Sequence, residues 1–236
     1  MPGTRRRLSI GSGHSGMARN KVRIRFQKGE DLRLISHHDL MRCFERMLRR
    51  AAVPVHSSQG FNPKPRLVFA LSLGLGIVGC QEVAELELDE EMEPEELRRR
   101  LRQQAPPGLE ILSVRQLHST KGAQARRASY RIPLPPNRAL DVADRIPDVL
   151  ASTHCWVDRT RPQARRIDLR PYVCDLRVIS NSLEMEFWVT PQGTARPLEI
   201  LQILGLADLL DQGFVLERTA LEIVDELSVI QPEGSS

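Results

Sequence analysis

Between Lys21 and Leu117 the apolar residues switch between a repeat of two and a repeat of 3.6, and this succession constrains the fold more than any other feature of the chain. Lys21–Lys28 alternates, with Val22, Ile24 and Phe26 on one face and Lys21, Arg23, Arg25 and Gln27 on the other. That is the pattern of a half-buried strand with a basic outer face. Gly29-Glu30-Asp31 ends it. Ser36 then opens a helix, with Asp39 three residues on in a capping-box arrangement. Leu40, Phe44, Met47, Leu48 and Ala51 follow as one apolar stripe. Pro65–Leu73 and Glu82–Asp89 read as strands, Glu93–Gln104 as a helix with Pro94 near its first turn, and Leu109–Leu117 as a fourth strand. The order βαββαβ is that of a ferredoxin-like unit.

The second half repeats the order less regularly. Ser129–Leu134 is strand-like, and Leu140–Ser152 is helical although it carries Pro147. Cys174–Ile179 and Leu183–Thr190 alternate across a Ser180-Asn181-Ser182 turn. Pro197–Leu210 reads as a helix and Phe214–Val224 as a last strand. Asp158–Tyr172 fits neither repeat and reads as a loop or an irregular strand. The expectation is therefore an α+β chain with two ferredoxin-like units in tandem, the second irregular. The first unit spans 21–118, a linker 119–128 and the second unit 129–230. A disordered basic extension is expected at 1–20, with Met17 as the expected start, and a disordered tail at 231–236. A single mixed domain is the alternative.

The net charge of +4 hides two opposed blocks. Residues 21–66 hold eleven bases against four acids, and residues 82–96 hold nine acids and no base. Cys43, Cys80, Cys155 and Cys174 have long, irregular gaps, with no CxxC and no CxxxCxxC, so neither a zinc knuckle nor a cluster-binding loop is written here. Four free thiols fit a reducing, cytoplasmic setting. No run of 18 apolar residues is present, so no membrane association is expected. Neither a nucleophile elbow nor HExxH occurs.

Three segments carry candidate chemistry. Ser36-His37-His38-Asp39-Leu40 puts two imidazoles and a carboxylate at a helix start, where free N–H groups attract anions. His37 and Asp39 are the catalytic candidates, and the absence of HxxxH argues against a metal site. Arg42, Arg46, Arg49 and Arg50 share one face of the same helix, which suits a phosphate backbone as well as it suits a solvated surface. In Ser57–Arg66, Gly60 permits a bend while Pro63 and Pro65 stiffen the chain. Phe61 then stands beside Asn62, Lys64 and Arg66, where a ring either stacks on a base or tucks into the core. The glycines of Leu73–Gly79 match no nucleotide loop and read as a bend. Arg165, Arg166 and Arg170 either extend the basic surface or form a charged connection.

The segments Ser36-His37-His38-Asp39-Leu40, Arg49-Arg50-Ala51 and Ser58-Gln59-Gly60-Phe61-Asn62-Pro63-Lys64-Pro65-Arg66 together resemble the radical-SAM-linked bacterial protein family, a domain of unknown function. Asp168-Leu169-Arg170-Pro171 and Ala195-Arg196-Pro197 resemble its later motifs. His38 departs from the family pattern, so no metal role is carried over to it. The resemblance implies a radical SAM protein as partner, which carries a 4Fe-4S cluster and S-adenosylmethionine; no cofactor is expected in this chain. Three readings stay open. The first is an accessory protein that holds an RNA substrate, tRNA or rRNA, for that partner. The second is an RNA-processing or RNA-modifying enzyme using His37, Asp39 and Lys64. The third is a protein-interaction module without RNA affinity.

Overall fold

A computed structural model describes residues 20–61, 63–119, 121–160 and 164–229, with side chains described up to Glu226. The expected extension and tail fall outside those residues, apart from Asn20. Among the described residues the chain is α+β, with a mixed eight-stranded sheet, a separate two-stranded hairpin and four α-helices.

The first half follows its hydrophobic pattern closely. Strand β1 (Asn20–Lys28) leads into a 3-10 turn at Glu30–Leu34 and helix α1 (His37–Arg50). The Ser36 hydroxyl accepts from the Asp39 N–H at 3.2 Å and donates to the Asp39 carboxylate at 2.7 Å, so the helix start is capped by its own first turn. Strand β2 (Leu67–Phe69) is far shorter than Pro65–Leu73, because Pro65 contributes no N–H and Leu71–Ile77 turns away as a loop. Strand β3 (Val78–Leu88) begins earlier than its alternation suggests, and helix α2 (Pro94–Gln104) and strand β4 (Leu109–Leu117) follow. The strands lie in the order β4-β1-β3, with β2 on the other side of β3, all antiparallel.

In the second half, strand β5 (Ala125–Pro133) begins inside the expected linker, which shrinks to the residues after Leu117. Helix α3 (Pro136–Ala151) passes through Pro147. Asp158–Tyr172 is more ordered than its sequence suggests: β6 (Trp156–Arg159) and β7 (Arg165–Asp168) pair as a hairpin. Strands β8 (Val173–Ile179) and β9 (Ser182–Trp188) join through Ser180 and Asn181, both at positive φ as a tight hairpin turn requires. Helix α4 (Pro197–Ile203) stops short of Leu210, since Gly205 at φ +70° breaks it. Strand β10 (Glu217–Ile223) ends the sheet order β10-β5-β9-β8.

The two halves share one sheet, because β10 pairs parallel with β3 at Glu217↔Val78 and Arg218↔Gly79. Their cores remain distinct. Val22, Ile24, Phe26, Phe44, Met47, Leu86, Leu97 and Ile111 fill the first. The second collects Ile132, Val142, Leu183, Phe187, Ile200 and Leu221, and it reaches across the seam to Leu73, Ile77 and Val83. A buried ion pair locks the seam. Arg218 donates to both Glu82 oxygens, one at 2.8 Å, and to the Leu71 and Ser72 carbonyls. A Cβ at position 79 would stand 2.5 Å from Glu82 Cγ, so glycine is needed there for the carboxylate to reach its partner. No helix among the described residues is long and apolar enough to cross a membrane.

Candidate functional site

The basic block of residues 21–66 divides into a neutralised part and an unpaired part. The neutralised part is the outer face of β1. Antiparallel pairing sets Arg23 opposite Glu85, and Arg23 Nη2 reaches Glu85 Oε1 at 2.6 Å. Lys21 meets the other Glu85 oxygen at 2.6 Å. Asp225 and Glu226, in a 3-10 turn at Val224–Val229, close over the same face: Asp225 takes two hydrogen bonds from Arg23, each 2.9 Å, and Glu226 pairs with Arg23, Arg25 and Arg115. Arg23 is 2% exposed. The expected open basic strand face is therefore covered, and its charge is answered by the acidic block and the C-terminal turn.

The unpaired part lies on the last two turns of α1. Arg46, Arg49 and Arg50 are exposed, have no carboxylate partner among the described residues and line one open concavity of about 380 Å³. Arg42, one turn earlier, pairs with Asp39 at 3.4 Å. The helix dipole favours cations at this end, which accounts for Arg49 and Arg50 without any ligand. It does not account for three guanidinium groups without a carboxylate partner sharing a depression.

The Ser57–Pro65 loop leaves from the end of the sheet that the C-terminus of α1 reaches, since Val55 bridges Leu88 and the His56 N–H donates to the Glu87 carbonyl. Its base is closed: Ser57 bridges Pro65, Ser58 N–H donates to the Lys64 carbonyl at 2.9 Å, and Lys64 N–H donates to Ser58 Oγ at 3.1 Å. Gly60, at φ +137°, turns the tip. Phe61 is fully exposed and does not enter the core. Lys64 is exposed without an ion pair among the described residues, while Arg66 pairs with Glu87 at 3.4 Å. Asn62 lies outside the described residues.

His37 and Asp39 sit at the opposite end of α1. Fourteen residues at about 1.5 Å each separate the two ends by roughly 20 Å. The His37 ring packs edge-on against Phe69 at 5.3 Å, and Phe69 in turn contacts Phe26 and Phe44. Burial, then neighbouring His38 and Lys28, lower the His37 pKa below its ordinary value. Asp39 is engaged by Ser36 and Arg42. His37 and Asp39 thus stand at one end of α1 and the arginine concavity at the other.

Sequence reasoning missed the seam. Two cavities of about 230 and 300 Å³ flank the Leu73–Ile77 loop. The larger is bordered by Tyr130 and by Thr194–Leu198, so the Arg196-Pro197 motif meets the glycine-rich bend there. The other is rimmed by Arg33, Leu34, Leu75 and Leu210. The only sequence signal was the glycine run itself. Arg170 serves structure, donating to the Leu150 and Val173 carbonyls. Arg166 lies over the Trp156 ring at 5.3 Å.

Comparison with known proteins places the chain in an uncharacterized group. Residues 21–198 match the model of a family described as "Uncharacterized protein conserved in bacteria (DUF2344)", and the chain belongs to that family. No curated protein matches. A solved structure, "Crystal Structure of an Unknown Protein from Galdieria sulphuraria", is similar at 13% identity over 87% of this chain and 99% of that one, with a TM-score of 0.28.

Proposed function

We propose that this chain is a non-catalytic accessory protein that holds RNA, tRNA or rRNA, for a radical SAM enzyme. In this reading each half is a ferredoxin-like unit, and the strand orders β4-β1-β3-β2 and β10-β5-β9-β8 support that view. The observation that carries RNA binding is the concavity of Arg46, Arg49 and Arg50, at the same end as the exposed Phe61 ring and Lys64. Guanidinium groups free of carboxylates bind phosphates and release counterions, while an exposed ring supplies a face for a base. The radical SAM partner rests on the family resemblance of the Ser36–Leu40 and Ser58–Arg66 segments. The chain has no CxxxCxxC, so the 4Fe-4S cluster and S-adenosylmethionine belong to the partner in this reading.

The test is fluorescence anisotropy of a labelled single-stranded RNA against salt. The expected result is a Kd that weakens steeply with salt. The triple variant R46E/R49E/R50E should lose at least tenfold in affinity and flatten the salt slope by about two, at roughly 0.7 per phosphate contact. Salt-independent binding, or a triple variant that binds as the parent does, overturns the reading. Co-purification with the radical SAM partner that survives nuclease, with no RNA affinity, would favour a protein-interaction module instead.

A further inference from the structure

The three guanidinium groups on the covered sheet face converge on a single carboxylate. Glu226 Oε1 accepts from Arg23 Nη1 at 3.0 Å and Arg115 Nη2 at 3.3 Å, and Glu226 Oε2 accepts from Arg25 Nη2. Arg23 and Arg25 project from β1 and Arg115 from the adjacent edge strand β4, so the sheet itself sets their spacing. Ser113 lies beside them, and these residues with Glu226 line an open polar concavity of about 210 Å³. The carboxylate comes from the far end of the chain, about 200 residues from the strand that receives it, on a single 3-10 turn.

One carboxylate needs one guanidinium for bidentate pairing. Three around it, with a hydroxyl alongside, form a coordination set suited to a group with more oxygens and more charge. Arg23 is shared, since Glu85 takes Nε and Nη2, Asp225 takes Nη1 and Nη2, and Nη1 also reaches Glu226; Arg25 and Arg115 are the guanidinium groups whose carboxylate partner is Glu226, the part of the turn that fills the concavity. Glu226 is partly exposed and Arg115 is 47% exposed, which leaves an approach from solvent.

We infer that Arg23, Arg25, Arg115 and Ser113 form a phosphate-binding site whose resident ligand is the chain's own Glu226, and that an incoming phosphate group takes the place of that carboxylate. The C-terminal turn is then a built-in competitor: the site binds weakly while the turn is docked and strongly once it is displaced. The site is distinct from the Arg46–Arg49–Arg50 concavity and does not depend on that region binding RNA.

The experiment uses the full chain with pyrophosphate as probe, followed by calorimetry and by amide hydrogen exchange. Glu226→Gln should bind pyrophosphate at least tenfold more tightly than the parent, and adding Arg115→Gln should return the affinity to the parental level. In the parent, pyrophosphate should speed exchange of the Val224–Glu226 amides, including the Val224 N–H now held by the Gln124 carbonyl. A folded Glu226→Gln chain that binds no more tightly overturns the inference. If that variant does not fold, the exchange measurement on the parent decides, and unchanged protection overturns it equally. Short RNA in place of pyrophosphate separates the sources: acceleration by both indicates a polynucleotide phosphate, and acceleration by pyrophosphate alone indicates a free phosphate compound while removing RNA from this site. RNA binding that is lost in R46E/R49E/R50E, alongside an unmoved C-terminal turn, would leave the accessory reading standing and remove this one.

Discussion

Arg23 and Arg49 belong to the same basic block, yet one is among the most enclosed charges of the molecule and the other is open to solvent. The difference lies in the element that carries each. A strand cation stands directly opposite a residue of the neighbouring strand, and here β3 supplies acids at those positions: Glu85 opposite Arg23 and Glu87 opposite Lys21. A cation on the outer face of a helix has neighbours only three and four residues away. Arg46 and Arg50 have no acid at that spacing, and Glu45, four residues before Arg49, forms no ion pair with it among the described residues. The sheet therefore neutralises its part of the block, and the helix leaves its part free.

The largest expected effect sharpens the first half of that contrast. Arg218→Ala leaves Glu82 buried without its partner, and loss of one member of a buried pair costs about 3–5 kcal/mol. Replacing both, as Arg218→Met with Glu82→Leu, should recover most of the loss because no unpaired charge remains. Urea denaturation of the single and double variants measures this. A single variant as stable as the parent would mean that the seam is held by its apolar residues, Leu73, Ile77 and Val83, and not by the pair.

A second test compares paired with unpaired arginines directly. Arg49→Gln removes an unpartnered cation and should reduce the salt slope of RNA binding by about 0.7. Arg66→Gln removes a cation already answered by Glu87 and should change the slope by less. Both should stay within about 0.5 kcal/mol of the parent in stability, being surface changes. Equal slopes for the two variants would break the distinction between neutralised and free charge on which the proposed interface rests.

The elements that the sequence reveals well are those with one wet and one dry face. β1, α1 and β4 match their hydrophobic periods closely, since Val22, Ile24 and Phe26 or Leu40, Phe44 and Met47 must all turn inward together. The start of β3 was hidden because Val78–Gln81 carries a glycine and a cysteine and is paired on both sides, to β1 and to β10. The β6–β7 hairpin was hidden because four-residue strands are too short to show alternation. It is fixed by Arg159, which donates to both Glu199 oxygens at 2.6 and 2.8 Å, a contact between residues 40 apart. The candidate interface was half legible. The charge blocks were plain, but which charges cancel depends on strand register, and the covering role of Asp225 and Glu226 depends on a chain end about 200 residues away.

Phe61 offers a smaller and cleaner measurement. The ring is fully exposed, so Phe61→Ala removes no core packing and should leave stability unchanged within about 0.5 kcal/mol. Stacking on a base contributes about 1–3 kcal/mol by alanine substitution, so RNA affinity should fall between roughly 5-fold and 150-fold. The salt slope should remain that of the parent, because no cation is lost. An affinity unchanged by Phe61→Ala would assign the interface to charge alone and remove the loop tip from it.

The smallest expected effect concerns the opposite end of α1 and asks whether His37 is a half-buried structural ring or an available proton carrier. Its pKa in the folded chain is depressed from 6.5 by burial first, then by His38 and Lys28. The unfolded chain therefore binds more protons than the folded one wherever pH lies between the depressed value and 6.5, and stability rises with pH across that window. Above 6.5 both states are neutral and the contribution is fully present; it is lost as pH falls. The slope of unfolding free energy against pH should be positive in this window and should shrink in His37→Gln, which keeps a polar side chain at the helix start but cannot titrate. A slope that survives the substitution would assign it to another group. A negative slope would mean that the charged imidazole is the stabilised form, with an anionic partner at the capped helix start. That outcome would reopen the Ser36–Asp39 end of the helix as a site equal in interest to the arginine end.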